Sequence, residues 1–238
     1  MNQSTNHEAP FAGLIFDFNG VLLWDSPLHE EAWRRYSAQL RGYPMTDREM
    51  LEQVHGKVNL DIFRYVLGQP ITREAMLPLA AEKEAIYRQL CLEAGDAFQL
   101  SPGAIDLLDF LVAHRIPHTI ATSSDRPNVQ FFIERLELGR WFDLAQLVFD
   151  EGRYPGKPAP HIYREAAGKL GLPPARCVVV EDSLAGIESA RAAGIGCIVG
   201  LGPDEWQQEL AALPGVGPTI HNLREFPRAL LASVETSQ

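Results

Sequence analysis

The chain has 238 residues, long enough for one large domain or two unequal ones. Hydrophobic residues make up 46% and charged residues 22%, a globular composition that excludes a disordered chain. With 21 Lys and Arg against 31 Asp and Glu the net charge is −10, and there is no basic run, which argues against nucleic-acid binding as the main function. A single local basic site can still hold a small phosphorylated molecule. Cys91, Cys177 and Cys197 show no metal-ligand spacing and read as reduced thiols. Residues 1–10 are polar and lack a leader pattern, and no apolar stretch approaches the ~20 residues of a membrane span. The expectation is a soluble cytoplasmic protein with no membrane partner. Nothing in the pattern bears on oligomeric state.

In chain order, the first element is an apolar run, Gly13-Leu14-Ile15-Phe16, that ends in Asp17 and is bounded by Gly20; it reads as a buried parallel strand. From Pro27 to Leu40 the apolar spacing is helical, with Trp33 and Tyr36 on the core face. Between Gln39 and Leu100 no buried strand is expected. Apolar residues recur there at helical spacing, as in Leu79, Ala80, Lys83, Ile86, Tyr87 and Leu90, and Gly-Pro breakers divide the region into several helices. After Pro102 the chain alternates: helix 104–114, strand 118–122, helix 129–136 and strand 147–149. A helix to Leu170, strand 177–180, helix 183–193 ending at Gly194, and strand 197–199 follow, with 218–220 as a further strand. Such alternation predicts an α/β fold, a Rossmann-like doubly wound parallel sheet, here with an inserted helical domain. The expected domains are residues 1–23 with 98–238 for the core and 24–97 for the insert.

Ligands of an open parallel sheet bind beyond the carboxyl ends of its strands. Those ends carry Asp17 and Asn19, then Thr122 and Ser123, then Glu181 and Asp182, with Lys157 in the loop before the helix that runs to Leu170. Each group alone has a bland explanation. Asp17-Phe18-Asn19-Gly20 suits a turn, Thr122 to Asp125 and Glu181 to Ser183 suit helix caps, and Lys157-Pro158 suits a solvated loop. Together on one rim they suit phosphoryl transfer, in which a carboxylate attacks phosphorus and an ammonium offsets the charge.

These motifs resemble those of the haloacid dehalogenase superfamily. Phe16-Asp17-Phe18-Asn19-Gly20-Val21-Leu22 is similar to its first motif and Thr122 to its second. Gly156-Lys157-Pro158-Ala159-Pro160 is similar to the third and Glu181-Asp182-Ser183-Leu184-Ala185-Gly186-Ile187 to the fourth. The order matches over nearly the whole chain, and the likeness is to the subfamily of β-phosphoglucomutase and small-molecule phosphatases, whose helical cap is inserted after the first motif. The resemblance implies a Mg²⁺-dependent phosphohydrolase acting on a small phosphorylated metabolite through an aspartyl phosphate on Asp17. It implies metal ligands from Asp17, the backbone carbonyl of Asn19 and Asp182, with Glu181 behind them or reaching the metal through water. It further implies Lys157 as the charge partner and Thr122 as a phosphoryl hydrogen-bond donor, with backbone N–H groups around Asn19, Gly20 and Ser123 completing the cradle.

Asn19 departs from that pattern, because most phosphatases and mutases of the family have Asp there as general acid and base, and an amide does neither. Three readings stay open: a phosphohydrolase that is slower or reliant on good leaving groups, a phosphonate-cleaving relative using Lys57 as a Schiff base, and a weakly active or inactive phosphate-binding protein. Dehalogenation is disfavoured by the acidic metal site, and a phosphomutase by the missing acid. In the insert, Lys57 and Asn59 are expected in a substrate-facing turn, against a solvated loop. His29 is either a substrate contact or a hydrogen-bonded helix residue. Trp24 reads as an extra residue in the hinge before Asp25.

Overall fold

Gly13–Phe16 forms β1, with all four residues buried, as expected of an apolar run too short for a helix. The computed structural model describes residues 11–55, 57 and 59–231. Further strands are β2 His118–Asp125, β3 Val148–Asp150, β4 Cys177–Glu181, β5 Cys197–Leu201 and β6 Val216–Ile220. They form one sheet in the order β3-β2-β1-β4-β5-β6, and every neighbouring pair is parallel. The helices are α1 Ser26–Arg41, α2 Asp47–Glu49, α3 Asn59–Leu67, α4 Arg73–Glu93, α5 Ala104–Ala113, α6 Arg126–Arg135, α7 His161–Lys169, α8 Leu184–Ala193 and α9 Gln207–Ala212. The α/β class with a parallel sheet is as the alternation predicts. The chain divides into two compact units, Asp25–Gln99 and the sheet-bearing remainder.

Alternation along β1 sends Ile15 to one face of the sheet and Phe16 to the other. Ile15 and Val179 share a core with Tyr163 and Ala166 of α7 and with Ile187 and Ala190 of α8. Phe16 meets Phe142 edge-on, and Phe18, two residues on, stacks on Phe132 of α6 at 4.6 Å. Helices therefore cover both faces. All three cysteines are buried free thiols, Cys177 and Cys197 within strands as expected. Burial pushes the Cys177 thiol up to about 11, which suppresses the reactive thiolate.

Three elements differ most from the expectation. β2 runs to Asp125 rather than ending at Thr122, because its ladder with β3 resumes at Asp125–Asp150 after a register shift. α6 accordingly begins at Arg126, with the Asp125 carboxylate accepting from the Asn128 amide at 3.0 Å and a proline in the first turn. The short α9, with Leu210 as its buried residue, has too little apolar face to be read from sequence. Among the described residues no helix is long and apolar enough to cross a membrane.

In the helical unit α1, α3 and α4 pack around Trp33, Tyr36 and Phe63. A buried polar chain runs through it. The Lys83 ammonium donates to Glu84 Oε1 at 2.8 Å and to His29 Nδ1 at 3.0 Å. Because an ammonium only donates, the His29 proton sits on Nε2, 3.3 Å from Asp25 Oδ2. Tyr87 donates its hydroxyl to the same carboxylate and stacks on the His29 ring at 3.8 Å. The buried lysine is thereby partnered, as a charge away from water must be.

At the end of β4, Glu181 is fully buried. Ser183 caps α8, its Oγ accepting from the Gly186 amide at 3.1 Å. A Cβ on Gly186 would collide with the Glu181 carboxylate, so glycine is needed in this first turn for packing. Overpacking costs about 1–3 kcal/mol, whereas helix preference returns at most about 1 kcal/mol for alanine over glycine. Gly186→Ala is therefore predicted to lower stability in a urea melt; an unchanged or higher midpoint would contradict the packing of Glu181 against α8.

Candidate active site

β1 lies between β2 and β4, and Phe16 pairs with Ile120 on one side and Val180 on the other. The next residues, Asp17, Ala121-Thr122 and Glu181-Asp182, therefore emerge side by side at the strand ends. The sheet order reverses between β1 and β4, the position where an open α/β sheet leaves a crevice. Asp17 extends the ladder by one bond, its amide donating to the Val180 carbonyl at 3.0 Å, and its side chain is buried.

Lys157, from the loop between β3 and α7, donates through Nζ to Asp17 Oδ1 at 2.7 Å and to Glu181 Oε1. Only 8% of its side chain is exposed, so both bonds are desolvated. Glu181 Oε1 also accepts from the Tyr163 hydroxyl at 2.6 Å. Its Oε2 accepts from the amides of Asp182 and Ser183 and from the Ser183 hydroxyl, each at 3.0 Å. The Asp182 carboxylate lies against Gly20, which has φ +83° and where a Cβ would collide with that carboxylate. Gly20 thus serves both the turn and the close approach of an acid to the backbone.

The turn after β1 is tight. The Phe18 carbonyl accepts from Leu22 N at 2.8 Å and Leu23 N at 3.0 Å, and Gly20 N donates to the Leu23 carbonyl at 2.7 Å. Asn19 Oδ1 accepts from the Ser124 hydroxyl at 2.7 Å. Thr122 is buried, its Oγ1 accepting from Ser124 N at 3.1 Å, and Ser123 is exposed beside it. Thr122, Ser123 and Ser124 lie in the last part of β2, so Asp125 alone of that group caps a helix.

Crowding of acids sets the electrostatics. Burial pushes the Asp17 carboxyl up to about 7 from 3.8; Glu181 adds to the rise and Lys157 opposes it. Burial also raises Asp182 well above the usual carboxylate range, with Glu181 and Asp17 reinforcing the effect. For Glu181 burial pushes upward too, but Lys157 and its hydrogen-bond donors outweigh it and the carboxyl falls below 4.5. Burial of Lys157 is likewise outweighed, here by Asp17 and Glu181, and its pKa rises.

Carboxylate oxygens of Asp17, Glu181 and Asp182 lie within 4.8 Å of one another. Three acids against the Lys157 ammonium leave a negative excess, and an all-oxygen donor set suits a hard divalent cation. The residues present thus fit Mg²⁺. Glu181, with both oxygens taken by donors, orients its surroundings, and Asp17 and Asp182 are the acids able to face a cation directly.

Of the residues expected from sequence, Asp17, Asn19, Gly20, Thr122, Lys157, Glu181 and Asp182 come together in the sheet-bearing unit. Lys57, just before α3, and Asn59, its first residue, are exposed in the helical unit, and His29 is engaged inside that unit with Lys83, Asp25 and Tyr87. Sequence reasoning missed Tyr163, Ser124 and Gly186. Tyr163 lies two positions into α7, where its spacing reads as plain core; its hydroxyl is the signal, since a buried tyrosine seeks a partner.

A model of the haloacid dehalogenase-like hydrolase family matches residues 11–194. The phosphorylated carbohydrates phosphatase of Thermotoga maritima is 32% identical over 199 residues, covering 79% of this chain and 84% of that protein. Hexitol phosphatase A of Escherichia coli is 32% identical over 216 residues, covering 90% of this chain and 92% of that protein. The crystal structure of a HAD hydrolase of family IA, variant 3, from Entamoeba histolytica superposes with a TM-score of 0.87 at 36% identity, covering 92% of this chain and 98% of that one. Matched in motif order, fold and sequence over most of its length, the chain belongs to the haloacid dehalogenase-like hydrolase family.

Proposed function

We propose that the protein is a Mg²⁺-dependent phosphohydrolase acting on a small phosphorylated metabolite. One observation carries this reading: Lys157 bridges Asp17 and Glu181, with Asp182 beside them, at adjoining strand ends of a parallel sheet. The names of its relatives, a phosphatase of phosphorylated carbohydrates and a hexitol phosphatase, agree with it.

In this mechanism Asp17 attacks phosphorus, and water then cleaves the aspartyl phosphate. Lys157 offsets charge on Asp17 and on the transferring group. Thr122 and the backbone amide of Ser123 hold phosphoryl oxygens, whereas the Gly20 amide, expected in that cradle, is taken by the Leu23 carbonyl. Mg²⁺, when bound, screens the nucleophile and phosphate from one another; Asp17, Asp182 and the backbone carbonyl of Asn19 would hold it, with Glu181 behind them. Substrate selection is assigned to the helical unit, acting as a cap with exposed Lys57 and Asn59, whereas His29 has a structural part there. The phosphonate-cleaving alternative is disfavoured because an imine-forming lysine is activated by desolvation or a neighbouring cation, and Lys57 is exposed.

Phosphate release from a panel of phosphate monoesters, with and without Mg²⁺, tests the proposal. Turnover is expected only with the metal, and Asp17→Asn should reduce it to background. Phosphate binding without turnover of any ester would instead identify a binding protein.

The raised carboxyls give a second test. A carboxyl whose folded pKa is raised stabilises the fold below its ordinary pKa of 3.8 and loses that contribution as pH climbs toward 7. A cation takes the deprotonated form and releases the proton. The rise in Tm on adding Mg²⁺ should accordingly be larger at pH 8 than at pH 5. An equal rise at both would contradict metal binding at Asp17.

A further inference from the structure

A phosphate ester of an ordinary alcohol splits well only if a proton reaches the departing oxygen, so the rim must be searched for a donor. Asn19 sits in the turn directly after the nucleophile, and its Oδ1 is bound by the Ser124 hydroxyl. What an amide offers beyond that oxygen is an N–H pair, which hydrogen-bonds without giving up a proton. Among the described residues of the sheet-bearing unit, the other ionisable groups of the rim are committed. Lys157 is held between Asp17 and Glu181, Glu181 accepts on both oxygens, and the Asp182 carboxyl, against Gly20, faces with Asp17 the place assigned to the cation. The Tyr163 hydroxyl is turned to Glu181. Asp125 caps α6, and Asp150 accepts from the Gly152 amide at 2.7 Å. His161, whose Nδ1 is buried without a partner, borders a cavity at the end of β3 with Ser123 and Tyr154; none of Asp17, Asn19, Lys157, Glu181 and Asp182 lines that cavity.

We propose that the substrate is a phosphate whose leaving group departs as a stable anion without a proton, an acyl, enol or aryl phosphate rather than the ester of an aliphatic alcohol; this rests on the phosphohydrolase reading above. The steps balance without an acid. The Asp17 oxygen forms its bond to phosphorus as the bond to the leaving oxygen breaks, and that oxygen keeps the electron pair. Water then bonds to phosphorus, the bond to Asp17 breaks and regenerates its carboxylate, and the proton lost from water goes to solvent. The departing carboxylate of the second step is itself a stable anion. Ser124 has a positioning part, holding the amide so that it donates rather than accepts.

The test compares kcat/KM for release of inorganic phosphate from acetyl phosphate, p-nitrophenyl phosphate and glycerol phosphate, in the unaltered protein and in Asn19→Asp. The unaltered protein should favour the first two by at least about 10²-fold, the lower end of what positioned proton transfer contributes. In Asn19→Asp that gap should narrow, chiefly through faster glycerol phosphate turnover. Turnover of glycerol phosphate on a par with the aryl ester in the unaltered protein would overturn the inference while leaving a phosphohydrolase in place. A gap that Asn19→Asp leaves unchanged would also overturn it. Should that variant fail to fold, a series of substituted phenyl phosphates on the unaltered protein decides: a steep dependence on phenol acidity supports the proposal and a flat one overturns it. No turnover of any member would overturn the phosphohydrolase reading itself.

Discussion

The buried Lys157 ammonium, shared between Asp17 and Glu181, is the contact on which the rest of the site depends. Carboxylates withdrawn from water are costly unless charge and hydrogen bonds compensate them. Much of the local architecture supplies that compensation. Tyr163 and Lys157 saturate one oxygen of Glu181; Ser183 and two backbone amides saturate the other. Gly186 leaves the space in which that carboxylate sits. Glu181 thereby stays charged in the dry interior and holds the Lys157 ammonium beside Asp17. Asp17 and Asp182 lack comparable compensation, and burial raises both. In the proposed function that imbalance is what a divalent cation and a phosphoryl group relieve.

The sheet order makes this convergence achievable. Asp17 and Lys157 are 140 residues apart, and Lys157 and Glu181 are 24 apart. Placing β1 in the centre, with β2 and β4 on its flanks, delivers Thr122, Asp17 and Glu181 to one edge without any long loop having to reach across. The helical unit interrupts the chain between β1 and α5 and leaves that order untouched.

Much of this was legible in the amino-acid pattern. Apolar runs ending in carboxylates marked β1 and β4, because a strand buried on both faces has no room for polar residues until it emerges. The rim residues Asp17, Lys157, Glu181 and Asp182 followed from the rule that the carboxyl ends of such strands form the crevice. Less legible were contacts made through shape. Ser124 meeting Asn19 depends on β2 continuing to Asp125, and a register shift cannot be read from hydrophobicity. Lys83 left a clue that only burial could interpret, since it falls on the apolar face of α4 at helical spacing, and its partner His29 lies on α1. The interactions of Gly186 and Tyr163 with Glu181 were hidden because the space a glycine leaves and the direction of a tyrosine hydroxyl are not written in a helical pattern.

The central claim is that Asp17, held by Lys157, is the nucleophile. Rapid acid quenching during turnover of an aryl phosphate, followed by peptide mapping, tests it most directly. The account predicts a phosphoryl group on the peptide containing Asp17 and none in Asp17→Asn. A label on another residue, or its persistence in that variant, would contradict it.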